Sequence, residues 1–285
     1  MPRSLIKARI KQWSNRESEH PLDLSDTHLE TLPELPSGLT QLNCSWNRLT
    51  GLASQMPIFD KLIYLECSNN QIACLPPLPQ RLRYLYCNSN QLTSLPLLPP
   101  SLTTLQCCSN TLAELPPLPS TLCTLYCAYN QLTMLPLVLP LTLTYLECSQ
   151  NRLTALPPLP PHLTDLYCSD NRLTMLPDLP AELTQFACSR NLLEVLPPTV
   201  PLGFLRPTTL IHFKTDGNYF PAALRTESID VYWGKVRSYY EAEQCRSKER
   251  IVARCAYIFE ELMRRMWCPE RVMRLIRMGI VPEDM

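Results

Sequence analysis

The sequence predicts a β-rich solenoid: a parallel sheet on its concave face, an extended polyproline-like convex side, a short N-terminal helix and a small C-terminal helical segment. Three observations predict it. A unit of about 20 residues, seen at 82–100 as LRYLYCNSNQLTSLPLLPP, returns in register along most of the 285-residue chain. The asparagines of these units, Asn47, Asn70, Asn90, Asn110, Asn130, Asn151, Asn171 and Asn191, are spaced by 23, 20, 20, 20, 21, 20 and 20 residues. The 29 prolines, against 6 glycines, recur at one phase between regularly spaced leucines, which is an ordered use of proline and not that of a flexible linker.

The elements follow in chain order. Residues 1–20 place Leu5, Ile6, Ile10 and Trp13 near one helical face, with Arg3, Lys7, Arg9 and Lys11 largely elsewhere. Such a helix would cover the first strand, which otherwise presents an open sheet edge and half a core; a membrane-surface or delivery segment is the other reading. The repeats span 21–220, about nine or ten units. The first is degenerate: Leu22, Leu24, Leu29 and Leu32 keep the apolar phases, but Thr27 stands where asparagine belongs. In each later unit LxxLxC turns its leucines and cysteine inward around a short strand, and the asparagine is expected to bond backbone groups of the turn that follows. The LTxLPxLP stretch is too short and too rich in proline for a helix, so an extended return is expected. The long 23-residue spacing contains GLASQMPIFDKL, an insertion expected to bulge on the convex side. A last, weaker unit puts Leu210, Phe213, Thr215 and Asn218 at the four phases. At 227–285 the period turns helical, with Ile251, Val252, Cys255, Ile258, Phe259, Leu262 and Met266 on one face. This segment reads as a helical cap or an interaction module.

Eight of the 14 cysteines, Cys44, Cys67, Cys87, Cys107, Cys127, Cys148, Cys168 and Cys188, each stand three residues before an asparagine. Leu24 fills the same phase in the opening unit, so the position is apolar and inward, where a thiol acts as a small hydrophobe. Strands about 4.8 Å apart hold such thiols parallel and farther apart than the ~3.8 Å Cβ separation of a disulfide. Reduced packing cysteines, and hence a reducing compartment, are the expectation.

The pattern LxxLxxxxNxLTxLPxLP, as in LTDLYCSDNRLTMLPDLP at 163–180, resembles the short leucine-rich repeats of the YopM and IpaH-type effectors that bacteria inject into host cells. LxCSxN variants also look like repeat proteins of intracellular bacteria and large DNA viruses. The resemblance covers about residues 20–220 and implies a leucine-rich-repeat solenoid and a pathogen factor acting in a host cell, in the cytoplasm or delivered into it. IpaH-type proteins add a ubiquitin-ligase domain with a cysteine nucleophile followed two residues later by an acid. Here about 65 residues follow the repeats, and Cys245, Cys255 and Cys268 are followed at that distance by Ser247, Tyr257 and Glu270. That domain is not expected, and its activity is not carried over.

No enzymatic constellation emerges. His20, His28, His162 and His212 stand in no spacing with carboxylates or cysteines that suggests a metal or a nucleophile and base, and there is no phosphate-cradling glycine loop. No cofactor is expected. Residues 21–224 hold 9 basic and 14 acidic side chains, which argues against nucleic acid. No run is apolar for the ~20 residues of a membrane span, and the N-terminus lacks the apolar core of a classical signal peptide. What remains is the concave face, formed by the third, fifth, seventh and eighth residues of each LxxLxCxxN. Those columns contain Trp46, Tyr64, Glu66, Tyr84, Tyr86, Tyr126, Tyr129, Tyr145, Glu147, Asp165, Tyr167 and Asp170. Large amphipathic rings with interspersed acids suit a protein partner. Cys108, in the seventh column, is expected to be the exposed thiol. A substrate receptor whose C-terminal helices recruit a second machine, such as a ubiquitin ligase, is the alternative, and a cysteine-dependent ubiquitin transferase a weaker one. The partner's identity and the oligomeric state are not legible in the chain.

Overall fold

The computed structural model describes residues 3–14, 20–36, 38–52, 60–194, 213–214 and 217–218. Most of the insertion after Gly51 and the whole of 227–285 lie outside the described residues. The described residues form one helix, α1 (Arg3–Ser14), and ten strands: β1 (Leu22–Asp23), β2 (Gln41–Asn43), β3 (Tyr64–Glu66), β4 (Tyr84–Tyr86), β5 (Thr104–Gln106), β6 (Thr124–Tyr126), β7 (Tyr145–Glu147), β8 (Asp165–Tyr167), β9 (Gln185–Ala187) and β10 (Phe213–Lys214). All ten belong to one sheet in sequence order, each pairing in parallel with the next. Register is set by the repeat itself: Leu42, Leu65, Leu85, Leu105, Leu125, Leu146, Leu166 and Phe186 are mutual partners along the stack. This is a leucine-rich-repeat solenoid.

From β3 to β9 each unit returns without a helix, so the strands need only three residues. The chain enters each of β4–β9 through a tight turn in which a leucine N–H donates to a proline carbonyl three residues back, as in Leu102 to Pro99 and Leu122 to Pro119. Proline's fixed φ presets that corner. Inside, the core is a set of columns: Leu82, Leu85, Cys87 and Leu92 of one unit, and their equivalents in the neighbouring units, are fully buried. The cysteine thiols take their expected place as core spacers, and burial raises their pKa values well above the ordinary thiol range. Three of them, on Cys67, Cys87 and Cys107, also donate to a carbonyl of the next strand at 3.3–3.4 Å.

Each asparagine fastens two units. Asn110 Nδ2 donates to the carbonyls of Cys87, Cys107 and Cys108 at 3.0–3.2 Å, and its Oδ1 accepts the Leu92 N–H at 3.0 Å. The same set recurs at Asn70, Asn90, Asn130 and Asn171. A polar group buried here without partners would cost about 1–3 kcal/mol, so the ladder makes burial of the turn tolerable. In the first unit, where Thr27 replaces the amide, its hydroxyl donates to the Leu24 carbonyl and Asn47 Oδ1 accepts the Thr27 N–H. In the last, Asn218 bonds Leu193 N–H and the Cys188 carbonyl, so the weak tenth unit carries the same fastener.

The helix α1 buries Ile6. Arg9, expected on the outer side, reaches the sheet edge instead: its Nη1 donates to the carbonyls of Asp23 (3.2 Å) and Ser25 (3.1 Å). The open edge of β1 is thereby met by a charged donor group, one of the ways edge strands are blunted.

Candidate functional site

In β2, β3 and β5–β8 the middle residue is buried and its two neighbours are partly exposed; in β4 Tyr84 is exposed outright. The third and fifth residues of the repeat therefore form two columns on the sheet, two residues apart and on one face, as strand alternation requires. The strand tyrosines fall into two groups. Tyr64 lies 6.4 Å from Tyr84 and 5.4 Å from Tyr86, ring centre to ring centre. Tyr145 stacks on Tyr126 at 4.5 Å and sits 5.6 Å from Tyr167. Separations of 4.5–7 Å are those at which aromatic pairs attract. Between the groups runs β5, whose Thr104 and Gln106 carry no ring.

Burial pushes the Tyr64 hydroxyl up to about 12, with the nearby Glu66 carboxylate and Tyr86 adding to it. Tyr86, Tyr145 and Tyr167 are raised too, in each case first by burial, then by Glu66 at Tyr86, by the hydrogen bond and charge of Tyr126 at Tyr145 and by Asp165 at Tyr167, with Glu147 adding a smaller effect at the last two. At neutral pH these hydroxyls are uncharged and able to donate or accept. Glu147 is itself raised by burial, opposed by its bonds to Ser149.

The acids are not equivalent. Glu66 Oε1 accepts the Ser68 N–H and Glu147 Oε1 the Ser149 N–H, both at 2.9 Å, so each carboxylate also closes its own strand exit. Asn43 does the same for Ser45 at 3.1 Å. Asp165 accepts the Thr164 hydroxyl at 2.6 Å. Asp170 is held by Arg190 in a two-pronged ion pair, one prong of which is Nη2 to Oδ2 at 2.7 Å.

The seventh and eighth columns depart from the expectation that both point outward. At the seventh, Ser45, Ser68, Ala128 and Ser189 are buried, and the polar ones form a second ladder: Ser68 Oγ accepts Asn88 N–H, Asn88 Oδ1 accepts Cys108 N–H, Ser149 Oγ accepts Ser169 N–H. Cys108 is only partly exposed, and burial pushes its thiol up to about 11; the exposed thiol among the described cysteines is Cys74 on the convex side. The signal missed was the polar Asn and Ser run itself, which marks a hydrogen-bonded turn. At the eighth, Trp46, Asn69, Ser89, Ser109, Tyr129, Gln150, Asp170 and Arg190 all have φ between 51° and 57°. This left-handed residue turns the chain three positions after each of β2–β9 and leaves Trp46 and Tyr129 in solvent, at 64% and 60% exposure. Neither ring is paired with the strand tyrosines, so these two stand beside the two groups and outside them.

Among the described residues, no three or more His, Cys, Asp or Glu side chains are arranged to hold a metal ion, and no helix is long and apolar enough to cross a membrane. The convex side carries its own exposed apolar residues, Leu97, Leu137, Val138 and Leu141. Leu137 and Val138 together fill the place that a single residue, such as Leu97, takes in a 20-residue unit.

The strand ladder, the asparagine fasteners and the buried leucine columns define a leucine-rich-repeat protein. Among solved structures the chain is similar to YopM from Yersinia enterocolitica, at 28% identity over 76% of this chain and 64% of that one, with a TM-score of 0.48. It is also similar to the leucine-rich-repeat domain of a Shigella effector, at 28% identity over 77% and 78%, TM-score 0.46. A third likeness is to the functional domain of InlJ from Listeria monocytogenes, which includes a cysteine ladder, at 30% identity over 63% and 44%, TM-score 0.46. This chain thus spans less than two thirds of the first structure's length. No protein-family model matches the chain, and no curated protein does. The fold assignment stands on the chain's own sheet.

Proposed function

We propose that the chain is a non-enzymatic protein-interaction module that holds a partner protein against its concave sheet. The observation that carries this reading is the grouping of six strand tyrosines, Tyr64, Tyr84, Tyr86, Tyr126, Tyr145 and Tyr167, into two contacting sets on one face of the sheet. None of these rings is among the buried residues of the described core, which is mainly leucine and cysteine with Ile6, Ile72, Phe186 and two alanines. Tyrosine supplies large contact area at small entropic cost and a polar tip, and it is enriched among residues that dominate binding energy. The motif resemblance to effector repeats supports a host protein as the partner.

The test is capture from host-cell lysate with the full chain and with the variant Tyr86→Ala/Tyr126→Ala/Tyr167→Ala. The variant keeps its circular dichroism and melting profile and loses the captured partner. Equal capture by both proteins would remove the concave-face assignment.

A further inference from the structure

We propose that the concave face carries two boxes for cationic side chains, Tyr64, Tyr84 and Tyr86 around Glu66, and Tyr126, Tyr145 and Tyr167 around Glu147, which together take two Lys or Arg side chains of one extended partner segment. The inference rests on the concave-face reading above and deepens it by naming the partner's chemistry.

The two boxes are built from one sequence element. β3 and β7 both read Tyr-Leu-Glu, and no other described strand does. Register then sets aromatic rings beside each carboxylate: Glu66 pairs with Tyr86, and Glu147 lies between Tyr126 and Tyr167. The ring contacts of 4.5–6.4 Å close each group on itself. Within each box the carboxylate spends one oxygen on its own turn, and among the described residues neither Glu66 nor Glu147 forms an ion pair. The outward residues of β2–β9 include no Lys or Arg at all. Arg190, at the neighbouring rim, is engaged with Asp170.

A carboxylate half-withdrawn from water beside electron-rich ring faces is an unfavourable place for an anion alone and a favourable one for an anion with a cation. Burial accordingly disfavours the ionised form of Glu147. An ammonium or guanidinium entering the box gains the charge pair and the ring faces together, the arrangement by which aromatic residues recognise cations. A carboxylate or phosphate would meet only like charge. The strands β3 and β7 are four steps apart, about 19 Å at ~4.8 Å per step, which is the reach of about six residues of extended peptide.

The probes are labelled synthetic peptides with two arginines in a Gly/Ser background, at spacings i,i+6 and i,i+2, and the i,i+6 peptide with citrulline in place of arginine. Binding to the full chain is followed by fluorescence anisotropy at low salt. The i,i+6 arginine peptide binds at least about tenfold more tightly than its citrulline analogue and than the i,i+2 peptide. The variant Glu66→Gln/Glu147→Gln, which keeps an oxygen for the Ser68 and Ser149 N–H groups, loses that advantage. The proposal is overturned if the citrulline peptide binds as well, if the double variant binds unchanged, or if the arginine pair does not bind. It is overturned too if both spacings bind alike. In any of these cases, loss of lysate capture by the triple alanine variant would leave the concave-face reading standing and the cation chemistry alone rejected.

Discussion

Asn110 touches four backbone groups in two units. The three carbonyls keep other donors, Asn90 Nδ2 at Cys87, Asn130 Nδ2 at Cys107 and the Ser89 N–H at Cys108. Asn110→Leu therefore strands the buried Leu92 N–H and lowers stability by about 1–3 kcal/mol, read by urea denaturation. The eighth position carries a different constraint. With φ at 56°, Trp46 sits where only residues without a branched Cβ are comfortable. Trp46→Gly should therefore be more stable than Trp46→Val by about 1–2 kcal/mol in the same assay. Glu147 adds a pH signature. Its carboxyl is raised above 4.5 in the folded chain, so the folded state holds the proton more tightly than the unfolded one. Stability then falls as pH rises from about 4.5 through the folded pKa, and Glu147→Gln flattens that part of the stability profile. A profile unchanged by the substitution would deny the burial of the carboxylate.

At the scale of elements, α1 and the cysteine columns make separable predictions. Arg9→Met keeps the stem of the side chain and removes the two bonds to Asp23 and Ser25. Amide exchange at 22–27 should speed up while the asparagine turns at 90–151 keep their protection, because repeats contact only their neighbours. Thiol labelling under native conditions should modify Cys74 and leave Cys44, Cys67, Cys87, Cys107, Cys127, Cys148, Cys168 and Cys188 untouched until denaturant is added. Peptide mapping by mass spectrometry reads both sets at once. The elements also show what a sequence can and cannot disclose. Strands β2–β9 fall on the third to fifth residues of the repeat because leucine at the fourth phase must face inward, and that phase is visible in the chain. The inward cysteines and the asparagine fasteners were legible for the same reason: a period repeated eight times leaves no other register. Arg9 was not, since its value lies in carbonyls of a strand edge that exists only once β1 has formed. The seventh column was misjudged as an outward face, because strand alternation ends where the left-handed eighth residue turns the chain.

Over the whole molecule, the repeat distinguishes residues that hold the solenoid from residues it leaves free. The twelve side chains expected to meet a partner separate accordingly. Six tyrosines form two groups on the sheet, and Glu66 and Glu147 serve both a group and their own turns. Asp165 bonds its neighbouring threonine, Asp170 is occupied by Arg190, and Trp46 and Tyr129 stand exposed at the rim. None of this division could be read from composition, because it depends on which residues of neighbouring units come within reach across the sheet. The same holds for the exposed convex apolar residues Leu97, Leu137, Val138 and Leu141, which offer a rival surface. The measurement that separates the two faces most directly is side-chain oxidation footprinting of the full chain with and without its captured partner. The concave reading predicts protection at Tyr86, Tyr126 and Tyr167 with Leu97, Leu137 and Leu141 unchanged. Protection of the three leucines with the tyrosines still reactive would contradict it.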